Sequence, residues 1–129
     1  MKSRSWIALC VLAATCVAPG CSEGPARASD VDAPRAREAL KTALESWKKG
    51  ESPATLKAAS PTIVVQDLDW EAGAALADFE VKGEGKADTA NLRIPVALTL
   101  RDAKGKESRK SVTYVVGTSP TITVFREIF

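Results

Sequence analysis

The sequence predicts an α+β fold in which an N-terminal helix packs on a curved antiparallel sheet. Apolar residues recur at helical spacing early in the chain, and the spacing changes to strict alternation in the C-terminal half. The alternating segments are separated by short turns, so consecutive strands are expected to be antiparallel neighbours. A helical region followed by a meander of four to five strands is typical of a two-layer α+β domain.

The first predicted element is a helix over residues 34–49. Asp32 is a favourable N-cap, and Pro34 occupies the first turn, where its missing N–H does no harm. Gly50 follows the last turn, as expected for a residue that ends a helix. A second, short helix is predicted over residues 53–58. The long helix carries an apolar stripe that would face the sheet, formed by Ala36, Leu40, Ala43, Leu44 and Trp47.

Four segments have the alternation of β-strands, and turns containing Gly105 and Pro120 separate the last three. These segments are residues 76–82, 91–100, 111–116 and 121–125. In the first of them, the pattern places Leu76 on the face opposite Phe79. A further segment, residues 67–71, is expected to be a charged edge strand with three carboxylates on one face.

Composition limits the classes of function. The 129 residues carry a formal net charge of +2, and Lys2 and Arg4 at the N-terminus account for that excess. The remaining chain therefore has no excess of basic residues from which to build a nucleic-acid-binding face. The length is that of one modest domain.

The N-terminus predicts export. Lys2 and Arg4 precede an uncharged apolar run at residues 6–14, which is long enough for a signal peptide but too short to span a membrane. Residues 1–20 are accordingly assigned to a signal peptide. Residues 21–32 are small and polar, as expected of a flexible tether, and residues 33–129 form the folded domain.

The residues Ala18-Pro19-Gly20-Cys21 resemble the lipobox of bacterial lipoproteins. The resemblance implies cleavage after Gly20 and lipid modification of Cys21, which would anchor the protein to a membrane of the cell envelope, facing the periplasm. Cleavage after Ala28, at the Ala-Arg-Ala site, is the alternative and would give a secreted protein. In both cases the folded domain lacks cysteine, so no disulfide framework is expected.

The element order over residues 34–127 resembles the cystatin-like and NTF2-like domains, in which a curved antiparallel sheet packs on an N-terminal helix. That resemblance implies a concave face between helix and sheet that could bind a small ligand. Trp47, Trp70 and Tyr114 are the candidate residues for such a site. In isomerase-like members a tyrosine and carboxylates transfer protons, but the sequence does not place a carboxylate opposite Tyr114.

Catalytic motifs are missing from the sequence. There is no histidine and no cysteine in the predicted domain, which excludes the usual nucleophilic triads and zinc sites built on these residues. We therefore expect no enzymatic activity and no cofactor. Asp67, Asp69 and Glu71 are a candidate calcium site if residues 67–71 are extended, although a charged edge strand explains the same residues.

The segment Lys104–Lys110 places four cations at a predicted hairpin. It could contact anionic headgroups or an acidic polysaccharide, or it could be a solvated hairpin tip. The sequence favours a lipid-anchored, non-catalytic domain that binds an envelope protein through its sheet face or an edge strand. A small-ligand-binding or isomerase-like domain is the alternative, and a structural spacer is a third possibility.

Overall fold

The computed structural model describes residues 30–128, which contain three helices and one curled, mixed sheet of six strands that forms a half-barrel. The predicted α+β class is therefore confirmed. In the sheet the strand order is β1-β6-β5-β4-β2. The short strand β3 pairs with the first residues of β4, and β2 pairs with the later ones. The elements are α1 (Ala33–Lys48), α2 (Pro53–Ala58), β1 (Ile63–Gln66), α3 (Leu68–Glu71), β2 (Ala75–Val81), β3 (Lys86–Asp88), β4 (Asn91–Arg101), β5 (Glu107–Gly117) and β6 (Ile122–Arg126).

The two predicted helices are confirmed, α1 to within one residue at each end. The carboxylate of Asp32 accepts a hydrogen bond from the backbone N–H of Arg35 at 3.2 Å, which satisfies one of the free donors of the first turn. After the last turn, Gly50 adopts a left-handed conformation with φ 84°, which glycine adopts without steric cost. The apolar stripe of α1 is buried against the sheet.

The four predicted strands are confirmed as antiparallel neighbours, namely β2, β4, β5 and β6. In β4 every second residue from Leu92 to Leu100 is buried. The predicted faces of β2 were wrong, because a bulge at Ala77 interrupts the alternation. Leu76 pairs with Leu100, and Phe79 pairs with Leu98, so all four side chains lie on the core face.

Two predictions about the segment before β2 were incomplete or wrong. β1 was not predicted, and it pairs in parallel with β6, which makes the sheet mixed. Residues 67–71 are not an edge strand, because α3 begins at Leu68. Asp67 caps this helix: its Oδ1 accepts hydrogen bonds from the N–H groups of Asp69 at 2.9 Å and Trp70 at 3.2 Å.

The N-terminal segment and the β4–β5 turn lie at opposite ends of the sheet. The chain joins the domain at the end where β4 begins, since Val31 N–H donates to the Thr89 carbonyl at 2.9 Å and Asp32 N–H donates to Thr118 Oγ1 at 3.0 Å. The β4–β5 turn, residues 102–106, lies at the opposite end. At about 3.4 Å per residue, the eleven residues of β4 separate these ends by about 35 Å.

The predicted signal peptide, Gly20, Cys21 and most of the predicted tether lie outside the described residues, as does Phe129. Within residues 30–128, no helix combines the length and apolar character that a membrane span requires.

Candidate functional site

A groove lies at one edge of β5. The β6 strand pairs with Tyr114–Gly117 only, so residues 107–112 pair with β4 on one side and, within the described chain, with no strand on the other. The last contact before this gap is the hydrogen bond from Glu127 N–H to the Thr113 carbonyl at 2.8 Å. A groove of about 460 Å³ opens there. It is lined by residues 110–113 of β5, by residues 126–128, by Leu68, and on the other side by Lys82, Pro95 and Val96.

The groove carries apolar side chains at its rim. Leu68 is 61% exposed and Ile128 is 72% exposed, which makes them the two most exposed large apolar residues among residues 30–128. Val112, which is half-buried, also lines the groove. Pro95 and Val96, the β4 partners of Thr113 and Val112, also line the groove, so it extends from the edge of β5 onto the neighbouring strand. Apolar side chains therefore flank a stretch of unpaired backbone.

A buried polar cluster supports the inner wall of the groove. It consists of Asp67, Asp69, Tyr114 and Arg126, and is called the Asp67 cluster below. Tyr114 Oη donates to Asp67 Oδ2 at 2.5 Å, and Arg126 Nη1 donates to Asp67 Oδ1 at 3.1 Å and also to Asp69. Lys110 Nζ adds an ion pair to Asp69 at 3.0 Å. With its two N-cap bonds, Asp67 accepts from four donors.

Sheet register explains why these residues meet. Tyr114 of β5 is directly opposite Arg126 of β6, so their side chains share the core face. Ile63 and Val65 of β1 face the core, and Asp67, two residues further on, points to the same side. Because β1 pairs with β6, this places Asp67 near Arg126. The cluster therefore depends on the parallel β1–β6 pairing.

Burial and charge shift the ionisation of the cluster in consistent directions. Burial and the adjacent Asp67 raise the pKa of the Tyr114 hydroxyl far above its ordinary value. Burial alone would lower the pKa of Arg126, but its contacts with Asp69 and Asp67 outweigh burial and raise it. Burial would raise the pKa of Asp69, yet Arg126 and Lys110 hold it below its ordinary value.

The arrangement is suited to holding structure in place. Tyr114 is 1% exposed and Asp67 is 2% exposed, and the oxygens of Asp67 are already hydrogen-bonded. A substrate has no open approach to this pair. The cluster joins the start of α3 to β5 and β6, and it thereby positions Leu68 at the rim of the groove.

Tyr114 provides a direct test because it is the only tyrosine in the chain. In the folded protein we expect no tyrosinate absorbance at pH values around 10, where an unperturbed tyrosine ionises. The raised pKa of the folded state stabilises the fold below the unfolded pKa, and this stability is lost progressively as the pH rises above it. Tyrosinate should therefore appear in one step together with alkaline unfolding. A separate ionisation near pH 10 in folded protein would contradict the buried hydrogen bond to Asp67.

The two candidate tryptophans form a pair inside the core. Trp47 and Trp70 stack with ring centroids 5.3 Å apart and planes 5° from parallel. Trp47 Nε1 donates to the Ala74 carbonyl at 2.8 Å, and Trp70 Nε1 donates to the Glu51 carbonyl at 2.9 Å. A depression of about 350 Å³ lies beside the pair, but Tyr114 is not among the residues that line it. The three aromatic residues predicted to share a concave site thus have separate surroundings.

The premise of the candidate calcium site, three carboxylates on one face of an extended segment, is wrong because residues 68–71 are helical. Asp67 and Asp69 bind Arg126 instead, and Glu71 is exposed on α3. Among residues 30–128, no group of three possible ligand side chains is placed to hold a metal ion.

Sequence reasoning missed Arg126, Leu68 and Ile128. Arg126 follows a predicted strand, but nothing local indicates that Asp67 lies next to it. The pattern Asp67-Leu68-Asp69-Trp70 could have indicated a capped helix turn, because aspartate is among the preferred N-cap residues. With that signal, Leu68 would have been predicted at the start of a helix and not on the face of a strand.

Comparison of the chain with protein-family models, with curated proteins and with solved structures found no match.

Proposed function

We propose that this chain is an exported, lipid-anchored module of the bacterial cell envelope that binds a partner protein and has no catalytic role. The observation that carries the proposal is the open edge of β5 at residues 107–112, flanked by the exposed side chains of Leu68 and Ile128. Exposed apolar side chains contribute nothing to the stability of a monomer in water. Where they lie beside unpaired strand backbone, they indicate a surface that binds a partner.

An extended segment of a partner is the occupant that fits this edge. The unpaired N–H and C=O groups of β5 can be satisfied by another strand, which would add in line with β6, while its alternate side chains contact Leu68, Val112 and Ile128. The outer edge of β2 differs in two respects: it does not border the groove that Leu68 and Ile128 line, and its exposed carboxylates Asp78 and Glu80 are already in ion pairs with Lys48 and Lys82. The other edge strand of the sheet is β1, and α2 packs against it.

Hydrogen exchange with short strand peptides tests the binding edge. The probes are three acetylated, amidated heptapeptides that alternate valine with threonine, aspartate or lysine. We expect at least one of them to slow amide exchange within residues 107–112. Leu68→Gln combined with Ile128→Gln should weaken that binding by about tenfold, because two exposed apolar contacts are lost.

The matched control combines Val81→Gln with Phe125→Gln. These residues are 36% and 37% exposed and do not line the groove. Equal loss of binding in both double variants, or protection of β2 instead of β5, would remove the support for this site.

The lipid anchor is tested by the intact mass and N-terminal residue of protein purified from membranes of its native host. We expect a chain that begins at a lipid-modified Cys21, and we expect Cys21→Ser to move the protein out of the membrane fraction. The support for this prediction is the basic start, the apolar run and the Gly20-Cys21 pair. An unmodified chain beginning at Ser29 would refute anchoring and indicate a freely diffusing secreted domain.

We further propose that the half-barrel belongs to the cystatin-like and NTF2-like class. The support is the position of α1 against the core face of a meander that curls around it. A β1 strand joined in parallel to β6 extends that meander at one edge.

A small-ligand-binding or isomerase-like role is the second candidate, and the 2.5 Å contact between Tyr114 and Asp67 favours it. It requires the Asp67 cluster to open to a ligand. Fluorescence titration with anilinonaphthalene sulfonate, an apolar anionic probe, separates the two candidates. Binding that Tyr114→Phe abolishes but the Leu68 and Ile128 double variant retains would favour the second candidate. The opposite pattern would favour the binding module.

A further inference from the structure

We infer that the segment bound at the open edge of β5 is acidic, with carboxylates placed against Arg109 and Lys106. This inference rests on the proposed binding function and specifies the chemistry of the partner. It follows from the charge of the edge, from the electrostatics of pairing two copies, and from the position of the edge in the domain.

The hairpin that borders the groove concentrates positive charge. Residues 104–110 contain four cations and one carboxylate, in a chain whose formal net charge is only +2. Glu107 is already paired with Arg101 at 2.8 Å, and Lys110 is paired with Asp69 at 3.0 Å. Within residues 30–128, the remaining cations Lys104, Lys106 and Arg109 form no ion pair. The nearest opposite charge to Arg109 that the register provides is Asp78, which lies two strands away across Thr99 of β4 and is paired with Lys48.

Arg109 and Lys110 lie on the strand that would receive the partner, and Lys104 and Lys106 lie in the turn that precedes it. Arg109 belongs to the outer face of β5, because its neighbour Lys110 shares the core-face parity of Val112 and Tyr114. A strand added at this edge would therefore pass Arg109 on one face and Lys110 on the other. Opposite charges on directly paired strand positions stabilise the pairing, and like charges destabilise it.

The same charges disfavour a second copy of this chain as the occupant. A two-fold antiparallel pairing of this edge places residues of the same face opposite each other, so a pairing centred on residues 107–112 sets either Arg109 or Lys110 opposite its own copy. Two positive edges would then lie side by side in a partly desolvated interface. An acidic segment removes that repulsion and supplies the missing ion-pair partners.

Position favours a protein segment over the headgroups of the anchoring membrane. The chain joins the domain at Val31 and Asp32, at the end of the sheet where β4 begins. The basic hairpin lies at the opposite end, about 35 Å away for the eleven residues of β4. A tether from Cys21 would thus lead to the end remote from the hairpin, which leaves the cations directed away from the anchored end.

The test measures the affinity of the three heptapeptides by amide chemical-shift titration of the protein, at low and high salt. We expect the aspartate peptide to bind at least about tenfold more tightly than the threonine peptide, and the lysine peptide to bind least. High salt should reduce the preference for aspartate, since these ion pairs are exposed.

The variant Lys106→Gln combined with Arg109→Gln should lose most of the preference for the aspartate peptide while still binding the threonine peptide. The matched control is Lys49→Gln combined with Lys57→Gln, which removes two exposed cations that do not line the groove, one directly after α1 and one in α2, and should leave the preference unchanged. Unchanged aspartate preference in the hairpin variant would overturn the inference.

The outcomes separate this inference from the function on which it rests. Equal binding of the aspartate and threonine peptides at residues 107–112 would overturn the acidic partner and keep the binding edge. Absence of binding by all three peptides would overturn both. Stronger hairpin-dependent binding to phosphatidylglycerol vesicles than to the aspartate peptide would overturn the acidic segment in favour of a membrane surface.

Discussion

Replacing Asp67 with alanine is expected to lower the free energy of unfolding by about 3–5 kcal/mol, the cost of breaking a buried ion pair from one side. The substitution leaves the Tyr114 hydroxyl without its acceptor in the core and removes one of the two carboxylates that hold Arg126. It also removes the N-cap of α3. Typical domains are stable by about 5–15 kcal/mol, so this single change threatens the fold.

Urea unfolding monitored by tryptophan fluorescence measures the effect. Asp78→Ala is the matched control, because Asp78 forms a solvent-exposed ion pair with Lys48 and its removal should change the free energy of unfolding little. Tyr114→Phe is the milder partner variant and should cost about 1–3 kcal/mol, because it removes one buried hydrogen bond. A loss for Asp67→Ala no larger than that for Asp78→Ala would show that the cluster contributes little to stability.

Replacing Trp47 with alanine is expected to cost about 3–5 kcal/mol, the usual range for removing a large aromatic side chain from a core. Trp47 is 2% exposed and packs face to face on Trp70, which is 6% exposed. The truncation leaves a cavity, ends the aromatic stacking and releases the Ala74 carbonyl from its hydrogen bond with Nε1. Trp70→Ala should show a similar loss, and the two effects should not add because the residues are in contact.

Far-ultraviolet circular dichroism gives a second readout, since two stacked indoles couple their transitions. The coupling signal should disappear in either alanine variant and persist in Asp78→Ala. Trp47→Phe is the conservative comparison and should recover part of the stability, because an aromatic ring still fills much of the space. Retention of the coupling signal in Trp47→Ala would contradict the stacked arrangement.

These two predictions bear on function through the groove. The Asp67 cluster positions α3 against β5 and β6, and α3 carries Leu68 at the groove rim. The Trp pair holds the C-terminal end of α1 to α3. A binding edge gains affinity when its contacts are already in place before the partner arrives. The core therefore prepares the surface that we propose as the binding site.

Local patterns were sufficient for the elements whose signals lie within the element itself. α1 has a capping aspartate before it, a left-handed glycine after it and an apolar stripe between them, and it forms within one residue of its predicted bounds. β4 alternates without interruption, and β5 follows it across a short turn. In each case the spacing of apolar side chains matches the period of the backbone that buries them.

Prediction failed where the deciding contact came from a distant part of the chain or from a break in the pattern. The bulge at Ala77 reverses the faces of β2, and nothing in an alternating pattern marks such an insertion. Residues 67–71 alternate charged and apolar side chains as an edge strand would, but the carboxylate of Asp67 caps a helix turn instead. The local pattern was compatible with both conformations.

The sequence by itself determined the fold class, the long helix, the antiparallel meander and the lack of histidine and cysteine chemistry in the domain. Only the tertiary structure decided the site: the parallel pairing of β1 with β6 brings Asp67 to Arg126 and Tyr114, and the early end of β6 exposes the edge of β5. Helix and strand periodicity is read over a few neighbouring residues. A parallel strand pair and an unfilled sheet edge instead depend on contacts between residues far apart in the chain, which a local pattern does not record.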